Sequence, residues 1–309
     1  MTRLLTLLGG QGTRVLFAGV FLGLLLPDLA ALARPLLTPS VIALLLATLL
    51  RVDWREMAAY SRRPLLSAGI TLWLLLACPI AMLAVLAPMT PPESLTTALV
   101  LMAAAPPILG ASSIAILLGL DGSLAIVACL ASTLLAPLTL PPLALWLLGL
   151  ELEIGVAEFM ARLGIVVAGA FIGALVIRRW VGPARLAALA QPIDGCIVIV
   201  MLVFAVAIME GVTETLFSRP GVVFLWLGAA FIANPALQLL GGLAFSWLGR
   251  RRALTIGLIS GNCNMGLLLA ALPSGADYDV ALFFAVAQLP MYMLPAIVLP
   301  FYRKLLATH

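Results

Sequence analysis

Long apolar runs separated by short charged or turn-rich segments fill almost the whole sequence. Each run is close to the roughly 20 residues that a helix needs to cross the hydrocarbon core of a bilayer, which is about 30 Å thick. The runs predict ten transmembrane helices, spans 1 to 10, at about 14–32, 36–50, 64–87, 95–118, 123–149, 157–177, 184–209, 221–247, 253–272 and 279–301. The predicted fold class is therefore an all-α polytopic membrane protein with a single transmembrane domain over residues 1–309.

The basic residues predict how these spans are oriented. If the chain crosses the membrane ten times, only Arg34, Arg162 and Arg219 of the 17 arginines and lysines fall on one side of the membrane. The other 14 (17 − 3 = 14) fall on the opposite side: Arg3, Arg14, Arg51, Arg55, Arg62, Arg63, Arg178, Arg179, Arg185, Arg250, Arg251, Arg252, Arg303 and Lys304. Cytoplasmic loops carry an excess of basic residues. We therefore expect a multi-pass protein of the cell inner membrane with both termini in the cytoplasm.

Composition narrows the expected partners. Hydrophobic residues make up 64% of the chain and charged residues 10%, whereas soluble domains carry about 25% charged residues. The net charge of +4 is scattered over short loops, which does not indicate a nucleic-acid partner. We expect the lipid bilayer and a small-molecule substrate as partners, with monomer and homodimer both open. The single histidine is the last residue, His309, so we expect no metal site and no cofactor other than Na⁺ or H⁺ as a coupling ion.

The two halves of the chain resemble each other. Residues 77–79 (Ala-Cys-Pro) match residues 233–235 (Ala-Asn-Pro) at an offset of 156 (233 − 77 = 156). The same offset relates Gly110 to Gly266 and Asp121 to Asp277. Two five-helix repeats, at about 14–149 and 157–302, insert with opposite orientation because five is odd. Inverted repeats of this kind are typical of secondary transporters that work by alternating access.

Spans 4 and 9 contain segments that disfavour a continuous helix. Span 4 has the sequence Ala-Pro-Pro-Ile-Leu-Gly-Ala-Ser-Ser at residues 105–113, and span 9 has Ser-Gly-Asn-Cys-Asn-Met-Gly at residues 260–266. Consecutive prolines remove two backbone donors and clash with the preceding turn. Freed carbonyls at such breaks offer ligands to a cation. The predicted helix-break residues are Pro106, Pro107, Gly110, Gly261 and Gly266.

Polar side chains near these breaks are the candidate site. Polar groups are costly in hydrocarbon, so they should face protein or a water-filled cavity. The candidate substrate-binding residues are Ser112, Ser113, Asn262, Asn264 and Gln288, and the candidate coupling-ion residues are Asp194, Ser132, Thr133, Asn234 and Gln238. Hydrogen bonding between helices is the alternative role for these groups. Two further alternatives are that Asn234 satisfies a kink at Pro235 and that Asp194 only caps a helix end.

Two segments carry a resemblance to a known family. Residues 121–137 (DGSLAIVACLASTLLAP) and 261–267 (GNCNMGL, against the pattern G-x-Q-N-x-G-L) resemble helices 5 and 9 of the bile acid:sodium symporter family, within the bile acid, arsenite and riboflavin transporter superfamily. The resemblance implies ten helices, with spans 1, 2, 6 and 7 forming a panel. Spans 3, 4, 5, 8, 9 and 10 would form a core in which broken spans 4 and 9 cross.

The chain departs from the family pattern at the expected sodium ligands. Ile259 stands where the family has a glutamate, Cys263 replaces a glutamine, and the polar positions of helix 5 fall near Ala125 and Cys129. Each change removes an oxygen that sodium would need in place of water. Sodium coupling, proton coupling and uncoupled transport therefore all remain alternatives.

We accordingly predict a secondary transporter of a small organic anion or amphipathic solute rather than an enzyme. An arsenite-permease-like efflux protein is an alternative, although Ile108 occupies the position beside the proline where that branch carries a cysteine. A membrane-embedded enzyme would need paired acids or a nucleophile with a base. The nearest such feature is Asp277-Tyr278-Asp279 at a loop edge.

Overall fold

The computed structural model describes residues 12–52, 64–148, 155–272 and 277–307. Five residues of the sequence analysis, Arg3, Arg55, Arg62, Arg63 and His309, lie outside these ranges, as does the segment 149–154 between the predicted repeats. The described residues form helices joined by short connections. The protein is therefore all-helical, as predicted.

We number the α-helices in chain order. They are α1 Gly12–Leu25, α2 Pro27–Ala33, α3 Leu37–Arg51, α4 Pro64–Leu72, α5 Cys78–Leu86, α6 Glu93–Ala104, α7 Ala111–Leu117, α8 Gly122–Leu148, α9 Val156–Val181, α10 Pro183–Ala188, α11 Ala190–Ala207, α12 Val212–Ser218, α13 Pro220–Ala244, α14 Arg250–Gly261, α15 Met265–Ala271, α16 Tyr278–Val286 and α17 Gln288–Ala307. A π-helical turn, Trp73–Ala77, joins α4 to α5. It ends two residues before Pro79, whose missing N–H interrupts the regular hydrogen-bond ladder.

Seven stretches within the described residues are long and apolar enough to cross a membrane. They are Pro27–Arg51, Pro64–Met89, Gly122–Leu148, Val156–Val181, Ala190–Ser218, Pro220–Ala244 and Tyr278–Pro295. Many large apolar side chains point outward, among them Leu65, Trp180 and Phe217, each more than 80% exposed. A surface of this kind suits lipid rather than water. The chain is a polytopic membrane protein, and the count of ten spans stays a prediction.

The first apolar run is divided differently from the prediction. We expected one helix over 14–32, but α1 ends at Leu25 and α2 begins at Pro27. Leu26 between them has φ −124° and ψ 75°, outside the helical region. The residue before a proline disfavours helical dihedral angles. The long candidate span therefore starts at Pro27 and includes the predicted second span.

The chain forms two compact units. Unit 1 comprises residues 1–52 and 164–223, and unit 2 comprises residues 53–163 and 224–309. Unit 1 thus contains α1, α2, α3, α10, α11, α12 and most of α9, and unit 2 contains the other helices. Each unit is assembled from segments that are distant in sequence.

Glycines allow helices α1 and α11 to approach closely within unit 1. A Cβ atom on Gly19 would lie 2.8 Å from the Cβ of Ala205, and one on Gly23 would lie 2.9 Å from the Cβ of Met209. Both distances are shorter than van der Waals contact. Close backbone approach through small residues is a common way for helices to pack in membranes. Thr213 adds a hydrogen bond of 2.7 Å from its Oγ1 to the carbonyl of Leu24.

Helices α13 and α14 approach equally closely within unit 2. A Cβ atom on Gly257 would overlap the carbonyl oxygen of Gln238, and one on Gly261 would lie 2.5 Å from the carbonyl oxygen of Asn234. The π-helical turn also contacts α14, because Trp73 donates a 2.9 Å hydrogen bond from Nε1 to Ser260 Oγ. These contacts fix the end of α14, where the candidate site begins.

Candidate functional site

Each predicted break region contains a shorter non-helical stretch, which we call a break segment. The first, residues 105–110, separates α6 from α7, and the second, residues 262–264, separates α14 from α15. Ala105 has extended dihedral angles (φ −68°, ψ 139°), the conformation that a residue before proline prefers. Pro106 and Pro107 then prevent the helical ladder from continuing. Local sequence therefore explains why α6 ends at Ala104.

The two break segments pair with each other through backbone hydrogen bonds. The N–H of Ile108 donates to the carbonyl of Asn262 at 2.8 Å, and the N–H of Asn264 donates to the carbonyl of Pro106 at 2.7 Å. Pro107 and Cys263 face each other between these bonds as an isolated antiparallel bridge. From the first break segment, the pairing uses the carbonyl of Pro106 and the N–H of Ile108. The missing N–H groups of the two prolines therefore remove no donor that the pairing needs. Backbone groups lost to helix formation are thereby satisfied inside the protein, as burial in a membrane requires.

This pairing changes the expectation that the breaks leave carbonyls free for a cation. The carbonyls of Pro106 and Asn262 accept from the opposite segment. The carbonyl of Gly261 accepts a 2.7 Å hydrogen bond from Asn234 Nδ2. These three carbonyls are thus engaged by protein donors. A ligand bound at the break segments would therefore be held mainly by side chains rather than by the free backbone carbonyls that the sequence had suggested.

Asn262 has the most unusual environment among the predicted substrate-binding residues. It is fully buried, and its Nδ2 donates a 2.7 Å hydrogen bond to the carbonyl of Leu258. Its Oδ1 is buried and has no hydrogen-bond partner among the described residues. An unpartnered buried acceptor costs about 1–3 kcal/mol. The amide oxygen of Asn262 is therefore an acceptor that a ligand or water molecule would satisfy.

The other predicted substrate-binding residues near the breaks have different positions. Asn264 is half-buried and caps α15, because its Oδ1 accepts from the N–H of Leu267 at 3.1 Å. Ser112 is buried and donates from Oγ to the carbonyl of Leu109 at 2.8 Å, whereas Ser113 is exposed. The break segments thus bring Ser112 and Asn264 close to the paired backbone. Of the two serines, only Ser112 is shielded inside its unit.

Ser132 and Thr133 bond within their own helix α8, whereas Gln288 at the start of α17 bonds to the preceding helix α16. Ser132 and Thr133 are fully buried, and both donate to the carbonyl of Cys129, at 3.1 and 2.7 Å. Gln288 is buried and donates from Nε2 to the carbonyl of Phe284 at 3.1 Å. Cys129 donates weakly from its thiol to the carbonyl of Ile108 at 3.6 Å, which links α8 to the first break segment.

Asn234, Gln238 and Tyr302 form a buried polar chain. Tyr302 donates from its hydroxyl to Gln238 Oε1 at 2.8 Å, and Gln238 donates from Nε2 to Asn234 Oδ1 at 2.7 Å. Asn234 then donates to the carbonyl of Gly261 at the start of the second break. Its amide therefore stabilises the neighbouring helix end rather than the kink at Pro235. Sequence reasoning placed Asn234 and Gln238 on one face but missed Tyr302, because no local pattern joins residues 64 positions apart.

The predicted break glycines have different environments. A Cβ atom on Gly261 would lie 2.5 Å from Gln238 Cγ as well as from the Asn234 carbonyl, so this position needs glycine for close helix approach. Gly110 is exposed, and a Cβ atom there would meet only Ile108 Cδ1 at 4.0 Å. Gly266 is buried within the first turn of α15. Steric necessity therefore explains Gly261 but not Gly110.

Asp194 belongs to unit 1, whereas the break segments belong to unit 2. It forms a two-point ion pair with Arg51, with distances of 2.8 Å from Nε to Oδ1 and 3.1 Å from Nη2 to Oδ2. Arg178 supports the same helix end by donating to the carbonyls of Leu50 and Val52 at 3.2 and 3.1 Å. The structure thus gives the most interior predicted carboxylate a permanently charged partner.

Comparison with known protein families and with characterised proteins finds no significant match. Within the described residues, no group of three or more histidine, cysteine, aspartate or glutamate side chains is placed to hold a metal ion. The paired break segments and the pattern of the sequence are therefore the features that indicate a function.

Proposed function

We propose that the protein is a secondary transporter that moves a small organic anion or amphipathic solute by alternating access. The observation that carries this proposal is the reciprocal pairing of two interrupted helices around Pro107 and Cys263. Non-helical backbone at membrane depth is tolerated only where protein or a cavity surrounds it. In transporters built from inverted repeats, such interruptions mark the substrate site.

The sequence offset supports the repeat on which this proposal depends. Pro107 and Cys263 are 156 positions apart (263 − 107 = 156), the offset that relates residues 77–79 to 233–235. Helices α8 and α16, which follow the two breaks, begin at Gly122 and Tyr278, again 156 positions apart (278 − 122 = 156). Agreement between sequence offset and helix boundaries is what two related five-helix units would produce.

The division into compact units supports the same proposal. Unit 1 has most residues of predicted spans 1, 2, 6 and 7, and unit 2 has most residues of spans 3, 4, 5, 8, 9 and 10. These are the panel and core sets that the family resemblance implies. Alternating access in inverted-repeat transporters is largely motion of one helix bundle against another, so two separately compact units suit this mechanism.

The proposed site consists of the polar groups around the breaks, with buried Asn262 and Ser112 and half-buried Asn264 as substrate contacts. Coupling to Na⁺, coupling to H⁺ and uncoupled transport are distinguished by experiment. The paired carbonyls and the absence of a carboxylate at Ile259 favour a driving ion other than sodium, because a hard cation needs several oxygen ligands. We place both termini in the cytoplasm of the inner-membrane protein on the distribution of basic residues.

Transport by proteoliposomes tests the proposal. A panel of organic anions and amphipaths is first screened for compounds that raise the unfolding temperature of the purified protein, since a ligand that binds only the folded state stabilises it. Each binder is then tested for counterflow with a sodium gradient, a proton gradient or neither. We expect counterflow that Asn262→Leu abolishes while the protein still folds and inserts. Binding without counterflow of any binder would mean that the protein is a receptor rather than a carrier.

A further inference from the structure

Helices α13, α14 and α17 of unit 2 line an open apolar groove with a volume of about 470 Å³. This is within the range of natural binding sites for small molecules. The residues that line it include Gln238, Leu239, Leu243, Arg250, Phe301 and Tyr302. Most of its walls are aliphatic or aromatic, and the groove is separate from the paired break segments.

The walls of the groove are open to the surroundings of the protein. Leu239, Leu243 and Phe301 are each more than 60% exposed. In a membrane protein, exposed apolar side chains of transmembrane helices contact acyl chains. By contrast, Gln238 and Tyr302 at the inner side are buried and bonded to each other. The groove therefore offers an apolar surface, and its two buried inner polar side chains already bond to each other.

Basic residues lie at one end of the groove. Arg250 lines the groove and donates a 2.8 Å hydrogen bond from Nη1 to the carbonyl of Leu305, which holds its guanidinium beside the end of α17. Arg251 and Arg252 follow it on α14, and Arg303 and Lys304 lie on α17. None of the three helices contains an aspartate or glutamate. A guanidinium presents five N–H donors in a geometry that suits phosphate.

The acidic residue that precedes α8 is not among the residues that line the groove. Asp121 precedes α8, and its Oδ1 accepts from the N–H of Leu124 at 3.0 Å. Arg251, the basic residue on that side, donates from Nη2 to the carbonyl of Leu120 at 3.0 Å. Arg251 thus belongs to the contact with the start of α8, whereas Arg250 belongs to the groove.

We propose that this groove is a binding site for one anionic phospholipid of the membrane, with an acyl chain along Leu239, Leu243 and Phe301 and the phosphate at Arg250. Basic residues at the end of an apolar cleft between transmembrane helices recognise anionic lipid headgroups by this combination of burial and charge. The site depends on the protein being in a membrane and is independent of the transport proposal.

The site is connected to the second break segment by the buried polar chain. Tyr302 and Gln238 line the groove and lead through Asn234 to the carbonyl of Gly261. A lipid in the groove would therefore contact the same residues that stabilise the end of α14. This connection gives an anionic lipid a physical route to influence the break segments.

Native mass spectrometry of the full-length protein in a mild detergent tests the proposal. The probes are phosphatidylglycerol and phosphatidylcholine with identical acyl chains, and inorganic phosphate. We expect one retained phosphatidylglycerol, at least about ten times more abundant than retained phosphatidylcholine. A tenfold ratio corresponds to a difference of roughly 1.4 kcal/mol in binding free energy. Equal retention of the two lipids, or binding of phosphate alone as tightly as the lipid, would overturn the proposal.

Four variants locate the site. Arg250→Gln should reduce phosphatidylglycerol retention to the level of phosphatidylcholine, and Leu239→Trp, which fills the groove, should reduce retention of both. Arg179→Gln removes an exposed arginine of α9 in unit 1 and should change neither. Arg252 lines a second groove beside Trp247, so loss of retention in Arg252→Gln but not in Arg250→Gln would contradict the assignment. Unfolding temperatures close to wild type verify that each variant is folded.

Discussion

Pro107 and Cys263 face each other in an antiparallel bridge, and they are equivalent positions at the sequence offset of 156. The hydrogen bonds on either side have the same relationship. Ile108 and Asn264 are both donors and are 156 positions apart (264 − 108 = 156), and so are their acceptors, Pro106 and Asn262 (262 − 106 = 156). Each bond is thus converted into the other by the offset, as expected where a local twofold axis relates two segments. The prolines stand at positions whose missing N–H groups the pairing does not need.

The cap at the start of α15 provides a direct test of the site. Asn264→Ala removes the oxygen that accepts from the N–H of Leu267, and loss of an N-cap costs about 0.5–2 kcal/mol. We expect a lower unfolding temperature and loss of counterflow in proteoliposomes, with insertion into the membrane retained.

A second substitution separates capping from substrate contact. Asn264→Ser keeps a side-chain oxygen suited to an N-cap, so it should recover most of the stability that Asn264→Ala loses. Recovery of stability without transport would indicate that the amide of Asn264 contacts the solute. Wild-type counterflow by Asn264→Ala would move the substrate site away from the second break.

Close packing of α13 and α14 predicts a sharp difference between two glycines. A Cβ atom on Gly257 would overlap the backbone carbonyl of Gln238, whereas a Cβ atom on Gly228 of α13 has no atom within 4 Å. Backbone cannot move aside as a flexible side chain can, so Gly257→Ala should lower the free energy of unfolding by about 1–3 kcal/mol.

Gly228→Ala is the matched control for that substitution. It should leave stability unchanged or raise it by up to about 1 kcal/mol, because alanine loses less conformational entropy than glycine in a helix. Thermal unfolding of both variants in the same detergent checks the pair. If Gly257→Ala were as stable as Gly228→Ala, the tight contact between α13 and α14 would be wrong.

The sequence predicted some of these features because their causes are local. Pro106 and Pro107 cannot continue a helix, so the first break could be predicted from its own residues. The caps at Asp121 and Asp277 have an equally local cause, because these side chains accept from the N–H groups of Leu124 and Asp279 at 3.0 and 2.9 Å. Pro107 and Cys263 are also 156 positions apart. The sequence did not predict their pairing, because a match between two positions does not say whether they touch.

Other features depend on contacts that no local pattern contains. The ion pair of Asp194 with Arg51 joins residues 143 positions apart, and its geometry follows from the packing of α3 against α11. Likewise, the hydroxyl of Tyr302 reaches Gln238 only because α17 lies beside α13. The end of α1 at Leu25 was missed because the hydrophobic run continues through Pro27, which masks the break.

The bond between Tyr302 and Gln238 predicts a measurable coupling energy. Tyr302→Phe keeps the ring but leaves Gln238 Oε1 buried without its donor, which should cost about 1–3 kcal/mol of stability. In a Gln238→Leu background the same change should cost less, because the bond is already absent. A double-mutant cycle from the unfolding free energies of the four proteins measures the difference, expected at about 0.5–3 kcal/mol. A coupling of zero would show that the two side chains do not interact.

The ion pair of Asp194 with Arg51 yields a prediction about proton coupling. The two side chains are 35% and 40% exposed, and pairs exposed to this degree contribute about 0–1 kcal/mol. Asp194→Asn should therefore lower stability only slightly, and Arg51→Gln should do the same. Because Asp194 is held in an ion pair with Arg51 and belongs to unit 1 rather than to the unit of the break segments, we expect the pH dependence of counterflow to match wild type in both variants. A pH profile flattened by Asp194→Asn but not by Arg51→Gln would instead make Asp194 the proton carrier, and it would place the coupling step in unit 1 rather than at the break segments.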